Sequence, residues 1–224
     1  MTRPPLFAEF FGTFSLVFAG TGAIVIDQTT SGGVTHVGIA LTFGLIVMAM
    51  IYTLGDISGA HLNPAVTLGF VLARRFPMKS APAYLTAQIA GALVASTLLR
   101  LLFPASESLG ATIPRGSPFQ SLILETILTF ILMLTILAVS SGPKERGITA
   151  GIAIGGVIAL EALFAGPISG ASMNPARSLA PALISGHLKD LWVYMLAPIT
   201  GAALAVPCHS ILQPSPDVQP STPR

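Results

Sequence analysis

The chain has 224 residues and a net charge of +2; 52% of its residues are hydrophobic, only 9% are charged, and the mean hydropathy is +0.79. Because soluble domains carry about a quarter charged residues, this composition excludes an ordinary soluble globule and predicts a protein embedded in a lipid bilayer. The small net charge, without any run of like charges, gives no indication of a nucleic acid or acidic partner. A single cysteine, Cys208, excludes an intrachain disulfide framework.

Six segments are predicted to cross the bilayer, since each approaches or exceeds the roughly 20 mostly apolar residues that a spanning helix needs. In chain order, the predicted spans are 6–26, 36–54, 81–103, 119–140, 148–166 and 191–212. The first is interpreted as a retained span and not as a cleaved signal peptide, because it is too long, contains Glu9 and ends without a clear cleavage site. After the last span, 213–224 holds four prolines among serine and threonine, which predicts a short disordered tail.

The basic residues near the spans predict the orientation of the chain. Six spans place seven Lys and Arg residues on the side of the two termini and three on the other side. The seven are Arg3, Arg74, Arg75, Lys79, Lys144, Arg146 and Arg224, and the three are Arg100, Arg115 and Lys189. Because cytoplasmic loops carry the excess of Lys and Arg, we expect a multi-pass protein of the cell (plasma or inner) membrane with both termini in the cytoplasm.

The sequence contains an internal repeat. Segment 57–68 recurs as 168–179, with eight of the twelve positions identical. We therefore expect one domain, residues 1–212, in which the first repeat covers about 6–103 and the second about 119–212. Each repeat has three spans, and because three is an odd number the second repeat enters the membrane from the opposite side. That relation predicts an inverted repeat with a pseudo-two-fold axis in the membrane plane.

Each copy of the repeated segment carries an Asn-Pro-Ala motif after a Ser-Gly-Ala turn. Asn is a favoured N-cap and Pro is pre-organised for the first helical position, while the apolar stretches that follow, 66–73 and 179–184, are too short to cross a bilayer. The fold class predicted is an all-α membrane protein with six transmembrane helices and two re-entrant half-helices, whose N-terminal ends meet at the midplane. The motif residues are Asn63, Pro64 and Ala65 in the first repeat and Asn174, Pro175 and Ala176 in the second.

These features together resemble the aquaporin (major intrinsic protein) family, over about residues 6–212. The paired Asn-Pro-Ala motifs, the Ser-Gly-Ala turns, the Asn-Pro-Ala-Arg-Ser of the second motif and the glutamates on spans one and four carry the resemblance. It is to a bacterial-type member, with nodulin-26-like features at 166–178 and at Tyr194. The resemblance implies the aquaporin fold, a homotetramer in the lipid bilayer and a passive channel that excludes protons and ions, with neither a cofactor nor a metal.

At the midplane, the side-chain amides of Asn63 and Asn174 are predicted to donate hydrogen bonds to a passing water. That water then points its hydrogens along the pore, which breaks a continuous proton wire, and the positive ends of both half-helices add a barrier to protons and cations. The competing interpretation is that both asparagines only cap helices. Capping alone does not require two inverted copies, so we favour the pore function.

Arg177 lies one turn into the second half-helix, and an arginine at membrane depth indicates a functional site. The resemblance implies that it forms a selectivity filter with Phe43, Ala162 and Ala171. Water-selective members usually carry His where Ala162 stands, so this filter is expected to be wider and to admit glycerol, urea or neutral metalloid hydroxides as well as water. Ser178 stands where dedicated glycerol facilitators carry Asp, which argues against that type of channel. The alternative to a multi-solute channel is a strictly water-selective one.

Four other residues are assigned supporting roles. By resemblance, Glu9 and Glu125 orient the re-entrant loops by accepting backbone hydrogen bonds, and His61 lines the inner vestibule. Glu161, inside span five, either accepts hydrogen bonds from loop N–H groups or Arg177, or binds a proton as a gate. It is also the one candidate coupling site for a less favoured alternative, an ion-coupled secondary transporter. No nucleophile–base pair, metal cluster or phosphate loop in the sequence indicates an enzyme.

Overall fold

The computed structural model describes residues 3–140 and 144–212, and for 144–148 it describes the backbone alone. The regular structure in these ranges is helical, with six long helices, two short helices and one short 3-10 helix. The long helices are α1 (Arg3–Thr29), α2 (Thr35–Ser58), α4 (Ala81–Leu102), α5 (Pro118–Val139), α6 (Lys144–Ser169) and α8 (Leu191–Leu212); the short ones are α3 (Pro64–Leu72) and α7 (Pro175–Ser185), and the 3-10 helix is Met78–Ser80. The predicted tail, 213–224, lies outside the described residues.

The predicted spans are confirmed, since six helices in the described ranges are long and apolar enough to cross a membrane. Six crossings bring the start of α1 and the end of α8 to one face of the helix bundle, called the terminal face below; the other is the opposite face. The half-helix α3 runs from the middle of the bundle to the terminal face, and α7 runs from the middle to the opposite face. This is the inverted arrangement that the repeat predicts.

Helix α6 extends beyond its predicted end at 166, although Pro167 lies inside it. Proline has no N–H to donate to the carbonyl four residues earlier. That carbonyl, on Leu163, accepts a hydrogen bond from Nε2 of His36 instead, at 2.8 Å. A side chain of α2 thus replaces the missing helical bond, and α6 continues to the start of the second re-entrant loop.

The two repeats pack in the same way. Helix α1 lies against α2 and α4, α5 lies against α6 and α8, and the contact between α2 and α6 joins the repeats. Glycine lies at a close crossing in each repeat: an added methyl group would overlap the Phe10 carbonyl oxygen at Gly91 of α4 and the Thr126 carbonyl oxygen at Gly201 of α8. Small residues at matching positions therefore let the backbones approach closely in both repeats, as membrane helices require.

Candidate functional site

The half-helices α3 and α7 begin at the prolines of the repeated motif, and the asparagine before each proline is the N-cap. Oδ1 of Asn63 accepts a hydrogen bond from the N–H of Ala65 at 2.8 Å. Oδ1 of Asn174 accepts from the N–H groups of Ala176 and Arg177 at 3.0 and 3.3 Å. Each cap satisfies backbone donors that have no partner within the helix, and this is why a short helix can start at membrane depth.

The two caps also join the half-helices across the midplane. Nδ2 of Asn63 donates to the carbonyl of Met173 at 2.8 Å, and Nδ2 of Asn174 donates to the carbonyl of Leu62 at 2.9 Å. An amide nitrogen carries two N–H groups, and this cross-link uses one of them on each side. Both side chains line the same cavity, so the second N–H of each asparagine is available to a molecule inside it.

The loops before the two motifs share one backbone conformation. Three residues in each loop have positive φ, including alanine and larger residues that rarely adopt this region. They are Gly59, Ala60 and Leu62 in the first loop, with φ of 83°, 46° and 52°, and Gly170, Ala171 and Met173 in the second, with φ of 88°, 42° and 53°. Such a backbone persists only where the surrounding structure holds it in place.

Glu9 of α1 holds the first loop. Its Oε1 accepts from the hydroxyl of Ser58 at 2.7 Å and from the N–H of His61 at 2.9 Å. Its Oε2 accepts from the N–H of Leu62 at 2.8 Å and from Nε2 of Gln88 at 2.7 Å. The carboxylate is fully buried, so these four donors are what compensates the cost of removing it from water.

Glu125 of α5 holds the second loop in the same way. Its Oε1 accepts from the hydroxyl of Ser169 at 2.7 Å and from the N–H of Ser172 at 2.9 Å, and its Oε2 accepts from the N–H of Met173 at 2.8 Å. The fourth donor has no equivalent here, because Pro198 stands where the first repeat has Gln88. Among the described residues, three hydrogen bonds to one buried carboxylate therefore hold the second loop.

Two tyrosines also hold the re-entrant loops, a role that sequence reasoning assigned neither to Tyr84 nor to Tyr194, although it singled out Tyr194 as a nodulin-26-like feature. The hydroxyl of Tyr84 donates to the carbonyl of Ser58 at 2.8 Å, and that of Tyr194 donates to the carbonyl of Ser169 at 2.6 Å. Each tyrosine lies four residues before the Gln88 or Pro198 position. An alignment of the two repeats therefore contained the signal that would have found them.

Arg177 marks the point where the two repeats differ most. Its side chain is only 2% exposed. Nη1 donates to the carbonyl of Gly110 at 2.9 Å, and the guanidinium carbon lies 5.0 Å from the ring centroid of Phe43, within cation–π range. The loop that supplies Gly110, between α4 and α5, is a second feature that sequence reasoning missed. In that loop, Thr112 donates to Ser178 of α7 at 2.7 Å, which ties the loop to the half-helix.

The predicted filter residues lie on the side of the asparagines toward the opposite face. Phe43, Ala171 and Arg177 line a cavity of about 740 Å³ that also contacts both asparagines and continues toward the terminal face. Ala162 of α6 is buried at 7% exposure and does not itself line the cavity. The structure thus brings three of the four predicted residues to the cavity wall, and the fourth is set back from it.

His61 lines the same cavity on the terminal side of the asparagines. Its ring stacks on Phe70 with 4.7 Å between centroids and meets Phe76 and Tyr84 edge-on at 4.9 and 5.1 Å. Its Nδ1 lies 3.2 Å from Oγ1 of Thr67. Three aromatic rings and one hydroxyl therefore fix the imidazole at the terminal side of the cavity.

Glu161 differs from the other two buried glutamates. It is 1% exposed, and neither carboxyl oxygen has a hydrogen-bond partner among the described residues. The structure therefore contradicts the interpretation that it accepts hydrogen bonds from loop N–H groups or from Arg177. The side chain also does not line the cavity. Sequence proximity to the filter was misleading here, because neither Glu161 nor the neighbouring Ala162 lines the cavity.

Replacing Glu161 by Met is expected to raise the free energy of unfolding by about 1–3 kcal/mol, the typical cost of a buried polar group that lacks a partner. Methionine has a similar volume and no polar atom to satisfy. The measurement is denaturation of the purified protein in detergent, with Glu125→Met as the matched control that should lose stability. A Glu161→Met protein less stable than the wild type would show that the carboxyl has a stabilising partner.

Comparison with known proteins agrees with this geometry. The family model described as "Major intrinsic protein" matches residues 3–209. Aquaporin NIP1-4 of Oryza sativa subsp. japonica is 51% identical over 209 residues, which are 93% of this chain and 76% of the relative. Nodulin-26 of Glycine max is 43% identical over 209 residues, covering 93% and 77%. The X-ray structure of the aquaglyceroporin from Plasmodium falciparum superimposes with a TM-score of 0.84 at 27% identity, covering 93% of this chain and 96% of that one.

The nodulin-26-like character inferred from the second repeat is confirmed by these plant relatives, while the bacterial-type assignment stays a prediction. The match extends over both repeats and both re-entrant motifs, so it covers the pore as well as the scaffold. The chain belongs to the major intrinsic protein (aquaporin) family and is a multi-pass membrane channel for water and small uncharged solutes, not an enzyme.

Proposed function

We propose that this channel has a wide filter and passes glycerol, urea or neutral metalloid hydroxides as well as water. The observation that carries the proposal is the make-up of the filter, where Arg177 faces a single aromatic ring and the other two positions are alanines. Ala162 is set back from the cavity wall, and Ala171 presents only a methyl group. By the family resemblance, water-selective filters usually carry His at the position of Ala162, and neither alanine supplies such a bulky donor.

The composition of the cavity wall supports permeation by solutes that have both an alkyl and a hydroxyl face. Most of its helical part is aliphatic, with side chains of Val47, Ile51, Leu132, Ile136, Ile154 and Ile158, and Tyr52 and Asp56 of α2 also line it. Its other part is formed by the two re-entrant loops. The N–H groups of those loops point back to Glu9 and Glu125. The carbonyls of Leu62 and Met173 accept from the two asparagines, and the proposal assigns other carbonyls of the loops to accept hydrogen bonds from a solute. Glycerol, with a carbon chain on one side and hydroxyls on the other, fits such a wall.

Exclusion of protons and ions follows from three positive features along the same path. The N-terminal ends of α3 and α7 meet at Asn63 and Asn174, and each half-helix carries a partial positive charge at that end. The free N–H of each asparagine orients the central water so that it does not pass a proton on. Arg177 adds a full positive charge at the filter.

We further assign a single domain, 1–212, built from the repeats 6–103 and 119–212, in a cell membrane with both termini in the cytoplasm. The excess of Lys and Arg on the terminal side supports this orientation. Assembly as a homotetramer is supported by the family resemblance. A secondary transporter is disfavoured, because Glu161, its candidate coupling site, does not line the cavity.

Stopped-flow swelling of liposomes that contain the purified protein tests the proposal. Water, glycerol, urea and arsenous acid should each enter faster than into protein-free liposomes. The variant Ala162→His is expected to keep water permeation and to lower that of the three larger solutes, since an imidazole is far larger than the methyl group that it replaces at this filter position. Permeation of water alone by the wild type would identify a strict water channel, and no permeation at all would contradict a channel.

A further inference from the structure

We propose that Gly20 of α1 sets the width of the filter, because the absence of a side chain there lets the Phe43 ring lie directly on the α1 backbone. This inference rests on the proposed function, in which Phe43 is a wall of the filter. It makes Gly20 a residue that determines solute specificity, although it does not itself line the cavity.

The position of Gly20 follows from its helix neighbours. Leu16 lies one turn earlier on α1 and lines the cavity, so the face of α1 that contains residues 16 and 20 points toward the pore. At the level of Gly20, however, Phe43 lines the cavity in its place. A methyl group added at Gly20 would overlap Cδ1, Cε1 and Cζ of the Phe43 ring. The ring therefore occupies the space that any other residue at position 20 would fill.

The other contacts of the ring determine where it would move. The guanidinium carbon of Arg177 lies 5.0 Å from the ring centroid, and Nη1 of Arg177 is held by the Gly110 carbonyl at 2.9 Å. A methyl group on α1 would block the ring from behind, and the anchored Arg177 blocks it on another side. The Phe43 ring can therefore move only toward the cavity. A side chain at position 20 therefore narrows the filter.

The expected result of Gly20→Ala is a loss of glycerol permeability of at least about tenfold, the discrimination typical of one methyl group in a close-fitting pocket. Water permeability should change little, because water is narrower than the filter. The matched control is Gly22→Ala on the same buried stretch of α1, where the added methyl group would meet Cδ2 of Leu99 at 3.4 Å, an ordinary van der Waals contact. The readout is the ratio of glycerol to water permeability in liposomes.

A double variant separates the proposed role from a structural one. In Gly20→Ala with Phe43→Val the ring is gone, so glycerol permeability should return toward the wild-type value. If Gly20→Ala alone does not fold, judged by circular dichroism and size-exclusion chromatography, the double variant should restore folding, since the ring is the group that the methyl overlaps. A double variant that also fails to fold would overturn the proposal.

The outcomes for this inference and for the proposed function are distinguishable. Wild-type protein that passes no glycerol contradicts the proposed function whatever Gly20 does. If the wild type passes glycerol and Phe43→Val changes the glycerol-to-water ratio, the filter assignment stands. A ratio in Gly20→Ala equal to that in Gly22→Ala would then overturn the role of Gly20 alone.

Discussion

Replacing Arg177 by Val is expected to make the channel permeable to small cations. Valine is the residue that the first repeat carries at the matching position, Val66, so the same backbone already accommodates it. A unit positive charge opposes a monovalent cation a few ångströms away by about 2–4 kcal/mol at an effective dielectric constant near 20. Removal of that barrier corresponds to a rise in cation permeability of roughly 30-fold or more, since every 1.4 kcal/mol is tenfold.

Potassium flux in liposomes and conductance in planar bilayers measure this effect, and larger neutral solutes should also enter faster. Arg177→Lys is the control that keeps the charge but loses the planar group that contacts the Phe43 ring and the Gly110 carbonyl. It should keep cation exclusion and alter only the selection among neutral solutes. Unchanged ion and solute selectivity in Arg177→Val would mean that the constriction lies elsewhere in the cavity.

Replacing Glu125 by Gln is expected to abolish solute flux and to lower the free energy of unfolding by about 3 kcal/mol, because hydrogen bonds to charged groups contribute about 1.5–3 kcal/mol each. The amide keeps one acceptor oxygen but turns the other into a donor. The new NH2 group would face either the N–H of Met173 or the hydroxyl of Ser169 and the N–H of Ser172. All three of these groups donate to the carboxylate in the wild type, so a donor would meet donors. The second loop would then lose the group that holds its positive-φ residues, and with it the position of Asn174.

Glu161→Gln is the matched control for this substitution. It is the same chemical change at another buried glutamate, but Glu161 has no hydrogen-bond partner among the described residues to lose. Denaturation in detergent and swelling of liposomes should separate the two variants clearly. Equal losses of stability and flux in both would show that buried charge as such, and not the hydrogen bonds to the loop, is what the structure needs.

The fold was largely predictable because its signals are local. The lengths of the apolar stretches predict the six spans, and the capping chemistry of Asn-Pro predicts where α3 and α7 begin. The end of α6 was not predictable in the same way, since the helix passes Pro167 with a hydrogen bond from His36, which is far away in the sequence. Helix propensity depends on neighbouring residues in the sequence, so it does not account for a side chain of another helix that replaces a missing backbone N–H donor.

The site was predicted in part, for a related reason. The symmetric residues stand out in a comparison of the repeats, whereas the partner of Arg177 is a backbone carbonyl, on Gly110, and any residue type can supply one. The environment of Glu161 also could not be read from its neighbours, since its carboxyl has no hydrogen-bond partner among the described residues and does not line the cavity. Gly20 has no side chain that a sequence pattern could point to, and its proposed role follows only from the position of the Phe43 ring in the structure.

The central claim is that the cavity is a passive path for small neutral solutes that stops protons at Asn63, Asn174 and Arg177. Its most direct test measures glycerol entry and proton movement in the same liposomes, which contain the protein and an entrapped pH-sensitive dye under an imposed pH gradient. The account predicts that glycerol enters much faster than into protein-free liposomes, in proportion to its gradient, while the internal pH changes no faster than in those liposomes. Faster pH equilibration, or glycerol entry that saturates and depends on the proton gradient, would contradict it.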